Sequence, residues 1–303
     1  MKPSYVVLLI AITLAWGLHF TVVKATVDAI PPLFYVCLRM GTVALLLTPF
    51  RRWHKGRMQT ILIAGACFGG LNYAFMFYGL KLTTASISAV VIESYVPIAT
   101  VFSILFLGER VGWRRITGMA VALAGVALIA TGSSEETGSR NLPLGALCIL
   151  LAATSEAAGA IFVKKIEGVK PLELLSWFGV VGFFVTGILS LIFETGQRAA
   201  FVPEVNWGVV GALAYSVFVA SIFAHASYYF LIQRAPVSQV ASSGLMASVF
   251  AVGFGVLLLG ETLTVRFLFG GAMTLAGVAF ILMRQERTKR ADLPPAVSSE
   301  VSP

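Results

Sequence analysis

Three ionisable side chains stand inside long apolar runs: Arg39, Glu93 and Glu156. In hydrocarbon each costs about 2.5–3.5 kcal/mol on insertion scales, so such residues are functional candidates by default. A guanidinium and two carboxyls offer two chemistries. They can neutralise one another across helices, or they can meet the charged ends of a small zwitterion, carboxylate to Arg39 and ammonium to Glu93. Glu156 also suits a proton acceptor or a cation contact. His19 and His225 lie in similar runs, where an imidazole either titrates near neutral pH or is held by a hydrogen bond between helices. Trp16, Asn72, Tyr78, Tyr95 and Trp177 add aromatic and amide surface to the same runs. Together these residues are the candidate lining of a cavity for an amphipathic solute.

Other chemistries lack their residues. There is no Gly-x-x-x-x-Gly-Lys-Ser/Thr loop, no His-Glu-x-x-His, no metal-ligand Cys/His set and no serine triad. No cofactor and no metal are expected, and the chain does not read as an enzyme. Cys37, Cys67 and Cys148 all lie in apolar runs and read as small apolar fillers.

The elements that must position these side chains follow from composition. Of 303 residues, 58% are apolar and 12% charged, against roughly 45–50% and 25% in soluble domains. That excludes a soluble enzyme domain, disorder and a coiled coil. Ten apolar runs are long enough to span a bilayer as helices: 4–23, 31–50, 59–79, 84–107, 113–131, 143–163, 172–193, 208–231, 236–259 and 263–283. The first is read as a span, because only Lys2 precedes it and no small-x-small cleavage site follows. With the N-terminus inside, cytoplasmic segments hold 16 Lys and Arg, outer loops hold 5, and Arg39 lies within a span. This bias places both termini in the cytoplasm of a multi-pass protein of the cell inner membrane. It also explains the net charge of +8 without a nucleic-acid partner. The remaining partners are the lipid bilayer and a small molecule, with monomer and homodimer both open. At 1.5 Å per residue, Arg39 lies about 12 Å and Glu93 about 15 Å below the outer surface, so the two are in reach of pairing.

An internal repeat organises the spans. Leu107-Gly108-Glu109 recurs as Leu259-Gly260-Glu261, 152 residues later, and Leu123-Ala124-Gly125-Val126-Ala127 recurs as Leu275-Ala276-Gly277-Val278-Ala279 at the same offset. The expected units are residues 1–131, a linker 132–142, residues 143–283 and a disordered cytoplasmic tail 284–303. Each repeat holds five spans. An odd number makes the second half enter the membrane from the opposite side, an inverted repeat of the kind that builds a midplane site and alternating access. Pro97, Glu109 and Glu261 are expected at gates or hinges: Pro97 frees a carbonyl beside Glu93, and the two glutamates end the fourth and ninth spans. Gly118, Ala122 and Gly125 in the fifth span, and Gly270, Thr274 and Gly277 in the tenth, are expected to form close-packing faces.

Trp16-Gly17, Arg39 after a Pro-led second span, Pro97 followed by Leu107-Gly108-Glu109-Arg110, and the Gly-Val of the fifth and tenth spans carry a resemblance. The chain resembles the EamA family of the drug/metabolite transporter superfamily over all ten spans. The resemblance implies an inner-membrane carrier that exports small metabolites, with exporters of aromatic amino acids among its plausible relatives. Val249 and Thr262 depart from the pattern, standing opposite Pro97 and Arg110. The expected function is export of amino acids with aromatic or apolar side chains. The alternative is proton-coupled export of cationic drugs or quaternary amines, in which Glu93 or Glu156 binds the cation.

Overall fold

The computed structural model describes residues 3–108, 111–166, 168–198, 201, 204–232 and 243–291. Among them every regular element is helical. In chain order these are α1 (Pro3–Lys24), α2 (Pro32–Leu46), α3 (Met58–Gly65), α4 (Tyr73–Leu82), α5 (Ala85–Val91), α6 (Tyr95–Leu107), α7 (Trp113–Ala130) and the short α8 (Ser134–Thr137). There follow α9 (Leu142–Lys164), α10 (Pro171–Phe193), α11 (Trp207–Ala214), α12 (Ala224–Ile232), α13 (Ser243–Leu259) and α14 (Val265–Ala291).

Several of these are pieces of one rod. A π-helical stretch, Ala66–Asn72, joins α3 to α4, and another, Tyr215–Phe223, joins α11 to α12. A single 3-10 turn, Ile92–Ser94, joins α5 to α6. Counted as rods, eight helical segments among the described residues are long and apolar enough to cross a membrane, and two shorter apolar ones, Pro32–Leu46 and Gly244–Leu259, accompany them. The second predicted span is shorter than expected because Pro49 closes a 3-10 turn at Thr48–Phe50. The first residues of the ninth predicted span, 236–242, lie outside the described residues. At the other end α14 runs to Ala291, past the boundary at 284 where a disordered tail was expected. Its polar end continues the hydrogen-bond ladder of an already nucleated helix.

Local chemistry sets the helix starts. Thr84, Asn141 and Asn206 accept from backbone N–H groups of the first turns of α5, α9 and α11, which satisfies donors the helix cannot use itself. Pro32, Pro143 and Pro171 occupy first-turn positions, where the missing N–H costs nothing. Gly108 and Gly260 end α6 and α13 at φ 65° and 64°, a left-handed cap that suits glycine.

Packing is by pairs: α7 along α14, α2 along α10, α1 along α13 and α4 along α9. The α7–α14 seam is close-packed along its length. A Cβ on Gly125 would lie 2.5 Å from the Gly270 carbonyl oxygen, and one on Gly277 would lie 2.6 Å from that of Gly118. The two small-residue faces therefore meet each other within the chain. The Gly69-Gly70 pair is a second packing device. A Cβ on Gly69 would sit 2.1 Å from the Phe178 carbonyl oxygen, so α10 crosses this stretch backbone to backbone.

Candidate functional site

A cavity of about 620 Å³ lies among these rods. Of the residues singled out by type, Trp16, Arg39, Asn72, Glu93, Tyr95 and Glu156 all line it. Tyr78 and Trp177 do not. Tyr78 is 43% exposed, on a face of α4 turned from the bundle. The Trp177 indole donates to the Arg52 carbonyl (2.9 Å) and meets the Trp53 ring, which anchors the loop after α2 to α10. Both were placed near the centre by span alone, and helix rotation decides otherwise.

One wall is cationic. Arg39 is 2% exposed, and its Nε and Nη2 both donate to Ser221 Oγ at 3.1 and 2.9 Å. Its guanidinium stacks 4.6 Å from the Tyr73 ring centroid. Nη1 is buried without a hydrogen-bond partner. Ser216 Oγ joins Tyr35 Oη (2.7 Å) to His19 Nε2 (3.0 Å), so His19 does bridge two helices. His225 Nδ1 lies 3.1 and 3.0 Å from the Ala220 and Ser221 carbonyls. Carbonyls only accept, which assigns the proton to Nδ1. Trp16 Nε1 donates to the Ala220 carbonyl (3.2 Å), and its ring meets those of His225 and Tyr228.

The two acids line the same cavity. Glu156 Oε2 accepts from Asn72 Nδ2 (3.1 Å), which also reaches the Ala152 carbonyl (3.0 Å). Glu93 Oε1 accepts from Ser248 Oγ (2.7 Å). Tyr95 and Tyr228 line the cavity within electrostatic reach of Glu156, and Tyr228 also meets Trp16. Among the described residues, neither acid forms an ion pair. The Arg39–Glu93 pairing that similar depth permitted is not made: Arg39 donates to the Ser221 hydroxyl, and Glu93 accepts from that of Ser248. Pro97, the hinge candidate, lacks the N–H that would reach the Glu93 carbonyl. The chain tightens there into the 3-10 turn, with the Tyr95 N–H turned back to the Ile92 carbonyl.

Serines 216, 221 and 248 had no sequence signal. Ser216 and Ser221 are five residues apart, about 140° around a helix of 3.6 residues per turn. The π-helical stretch brings them together, and Ser221 Oγ donates to the Ser216 carbonyl at 2.7 Å.

The cavity is closed at one end and lined by helix ends at the other. Val27, Ile30, Ile129, Leu142, Val209 and Phe267 form one buried cluster at the first end. Val163, Pro171 and Leu282 border the cavity at the second. At the closed end Glu261 caps α5: Oε1 accepts from the Ala85 N–H (2.5 Å), and Oε2 accepts from the Ser86 N–H (2.9 Å) and hydroxyl (2.5 Å). Glu194, which the sequence did not flag, does the same for α2 through the Leu33 and Phe34 N–H groups (2.9 and 3.0 Å). Glu109 lies outside the described residues. Lys24 donates from Nζ to the Leu80 carbonyl near the end of α4 (3.0 Å). Glu261→Ala is expected to weaken the start of α5 by ~2 kcal/mol, the loss of a charged cap. Amide exchange at Ala85 and Ser86 should rise while exchange at Ala152 holds. Equal exchange in both proteins at Ala85 and Ser86 would show that the cap carries no weight.

A family model described as the EamA-like transporter family matches residues 3–131 and 143–283. A probable amino-acid metabolite efflux pump of Salmonella typhimurium is 27% identical, covering 91% of this chain and 93% of its own. Its namesake in Escherichia coli is 26% identical, covering 90% and 92%. An uncharacterised transporter of Bacillus subtilis is 24% identical, covering 89% and 94%. One solved crystal structure superimposes with a TM-score of 0.61 at 18% identity, over 95% of this chain and 100% of that one, and so shares the fold.

Proposed function

This chain belongs to the EamA-like transporter family, and from that premise we propose that it exports small amphipathic metabolites, foremost amino acids with an aromatic or apolar side chain, by alternating access in the inner membrane. Membership makes it a multi-pass membrane transporter, not an enzyme. The finer topology is part of the proposal: ten spans, two inverted halves and both termini cytoplasmic. The family model's two matched segments, the repeated pentapeptide and the paired left-handed glycines, Gly108 and Gly260, support the two halves. On that topology the closed end of the cavity is the outer one, and substrate enters from the cytoplasm past Val163, Pro171 and Leu282.

One observation carries the substrate reading. The cavity is lined by a buried guanidinium with an unused donor and by two carboxyl groups that have no ion-pair partner among the described residues. A zwitterion completes both. Its carboxylate meets Arg39, its ammonium meets Glu93 or Glu156, and its side chain lies among Trp16, Phe68, Tyr73 and Phe178. The names of the Salmonella and Escherichia relatives agree with this class. A second reading, export of organic cations with proton exchange, draws on the pairing of Glu93 and Glu156 with the Tyr95 and Tyr228 rings in one cavity.

Uptake by proteoliposomes of the purified chain separates the two. Labelled phenylalanine and a lipophilic cation are offered in parallel, with and without a pH gradient. Saturable phenylalanine uptake that ignores the gradient is the expected result. Cation uptake that follows the gradient, without phenylalanine uptake, would replace this reading with the second.

A further inference from the structure

We infer that Ser221 is a positioning residue that holds Arg39 by hydrogen bonds without neutralising it, and thereby makes the site selective for solutes that carry a carboxylate. The inference rests on the substrate reading above and adds the residue that sets its specificity.

A guanidinium buried to 2% exposure normally has a carboxylate partner, because an unpaired buried charge is costly. Here the partner is a neutral hydroxyl. Ser221 Oγ accepts from Nε and Nη2 and donates to the Ser216 carbonyl (3.1, 2.9 and 2.7 Å). Two lone pairs and one proton are all that a serine has, so the hydroxyl is fully used and its geometry is fixed. The π-helical ladder makes this possible by setting Ser221 over the Ser216 carbonyl. The guanidinium is thus oriented, its plane supported by Tyr73 at 4.6 Å, yet its charge is left whole. Nη1 stays without a partner, and Arg39 borders the cavity. An aspartate at 221 would make the same two contacts as an ion pair and cancel the charge before any solute arrives. Serine keeps the position and leaves the charge for the ligand.

The test uses the full chain in proteoliposomes with labelled phenylalanine and labelled phenethylamine, the same solute without its carboxylate. Ser221→Asp is compared with Ser221→Asn, which offers a neutral acceptor of the same size, and thermal melting is recorded for each. In Ser221→Asp the KM for phenylalanine is expected to rise tenfold or more at unchanged saturated rate, while that for phenethylamine stays or falls. Ser221→Asn should remain within about threefold of wild type for both solutes. The inference is overturned if Ser221→Asp leaves phenylalanine uptake intact. It is equally overturned if Ser221→Asn loses as much as Ser221→Asp, or if both solutes are lost together in a carrier that still melts normally. A wild type that carries no phenylalanine sinks the substrate reading itself, and this inference with it.

Discussion

Arg39→Gln is expected to raise the KM for phenylalanine by about ten- to a hundredfold and to leave a folded carrier. A hydrogen bond to a charged group contributes about 1.5–3 kcal/mol, and each 1.4 kcal/mol is tenfold in affinity. Folding should survive because, among the described residues, Arg39 has no ion-pair partner to strand: it donates to Ser221 and lies over the faces of Tyr73 and Phe77. A glutamine keeps an amide near Ser221 and removes a buried charge, which relieves desolvation. Glu93→Gln acts on the other end of the solute. It leaves Ser248 an acceptor in place of the Glu93 carboxylate, and Glu156 remains in the same cavity, so a smaller rise is expected. The measurement is initial uptake against phenylalanine concentration, with phenethylamine as the control that ignores Arg39. Saturable phenylalanine uptake at wild-type KM in both variants would move the binding site away from this cavity.

The second large effect concerns the fold. Gly125→Val is expected to destabilise the protein by ~3 kcal/mol or more, the upper range for forcing extra carbon into a packed interface. A Cβ there would meet the Gly270 carbonyl oxygen, Thr274 Oγ1 and the Thr274 nitrogen at 2.5, 2.6 and 2.7 Å. Two of those three atoms are backbone, so no rotamer change clears the space. The α7–α14 seam must open, and in a bilayer helix association depends on such close backbone approach. Gly277→Val should behave alike, since its Cβ would lie 2.6 Å from both the Ala122 nitrogen and the Gly118 carbonyl oxygen. Gly253→Ala is the control. It sits within α13 with nothing within 4 Å of an added Cβ, and alanine gains about 1 kcal/mol of helix propensity. Detergent melting curves decide the matter. Equal melting of Gly125→Val and Gly253→Ala would show that the seam is not close-packed.

The class of molecule was legible in the chain. A bilayer admits about 20 apolar residues per helical span, so the runs announce themselves. The same solvent makes every interior charge conspicuous, which is why Arg39, Glu93 and Glu156 were legible from type and position and share one cavity in the structure. The small-residue faces of α7 and α14 were legible because their spacing is repeated 152 residues apart.

Which way each side chain faces was set by packing between helices far apart in the chain. A uniformly apolar helix has no polar stripe to reveal its rotation, so Tyr78 and Trp177 looked as central as Trp16 and Tyr95. Ser221 and Ser248 were invisible for a related reason. Serine is unremarkable in an apolar run until a neighbour with a charge is placed against it, and Ser221 reaches Arg39 from 182 residues away. The π-helical stretches changed the period on which any sequence estimate of facing rests. Whether Arg39 and Glu93 pair was also undecidable from depth. Equal depth in a membrane leaves lateral separation free, and the packing of α2 on α10 and of α5 on α13 sets it.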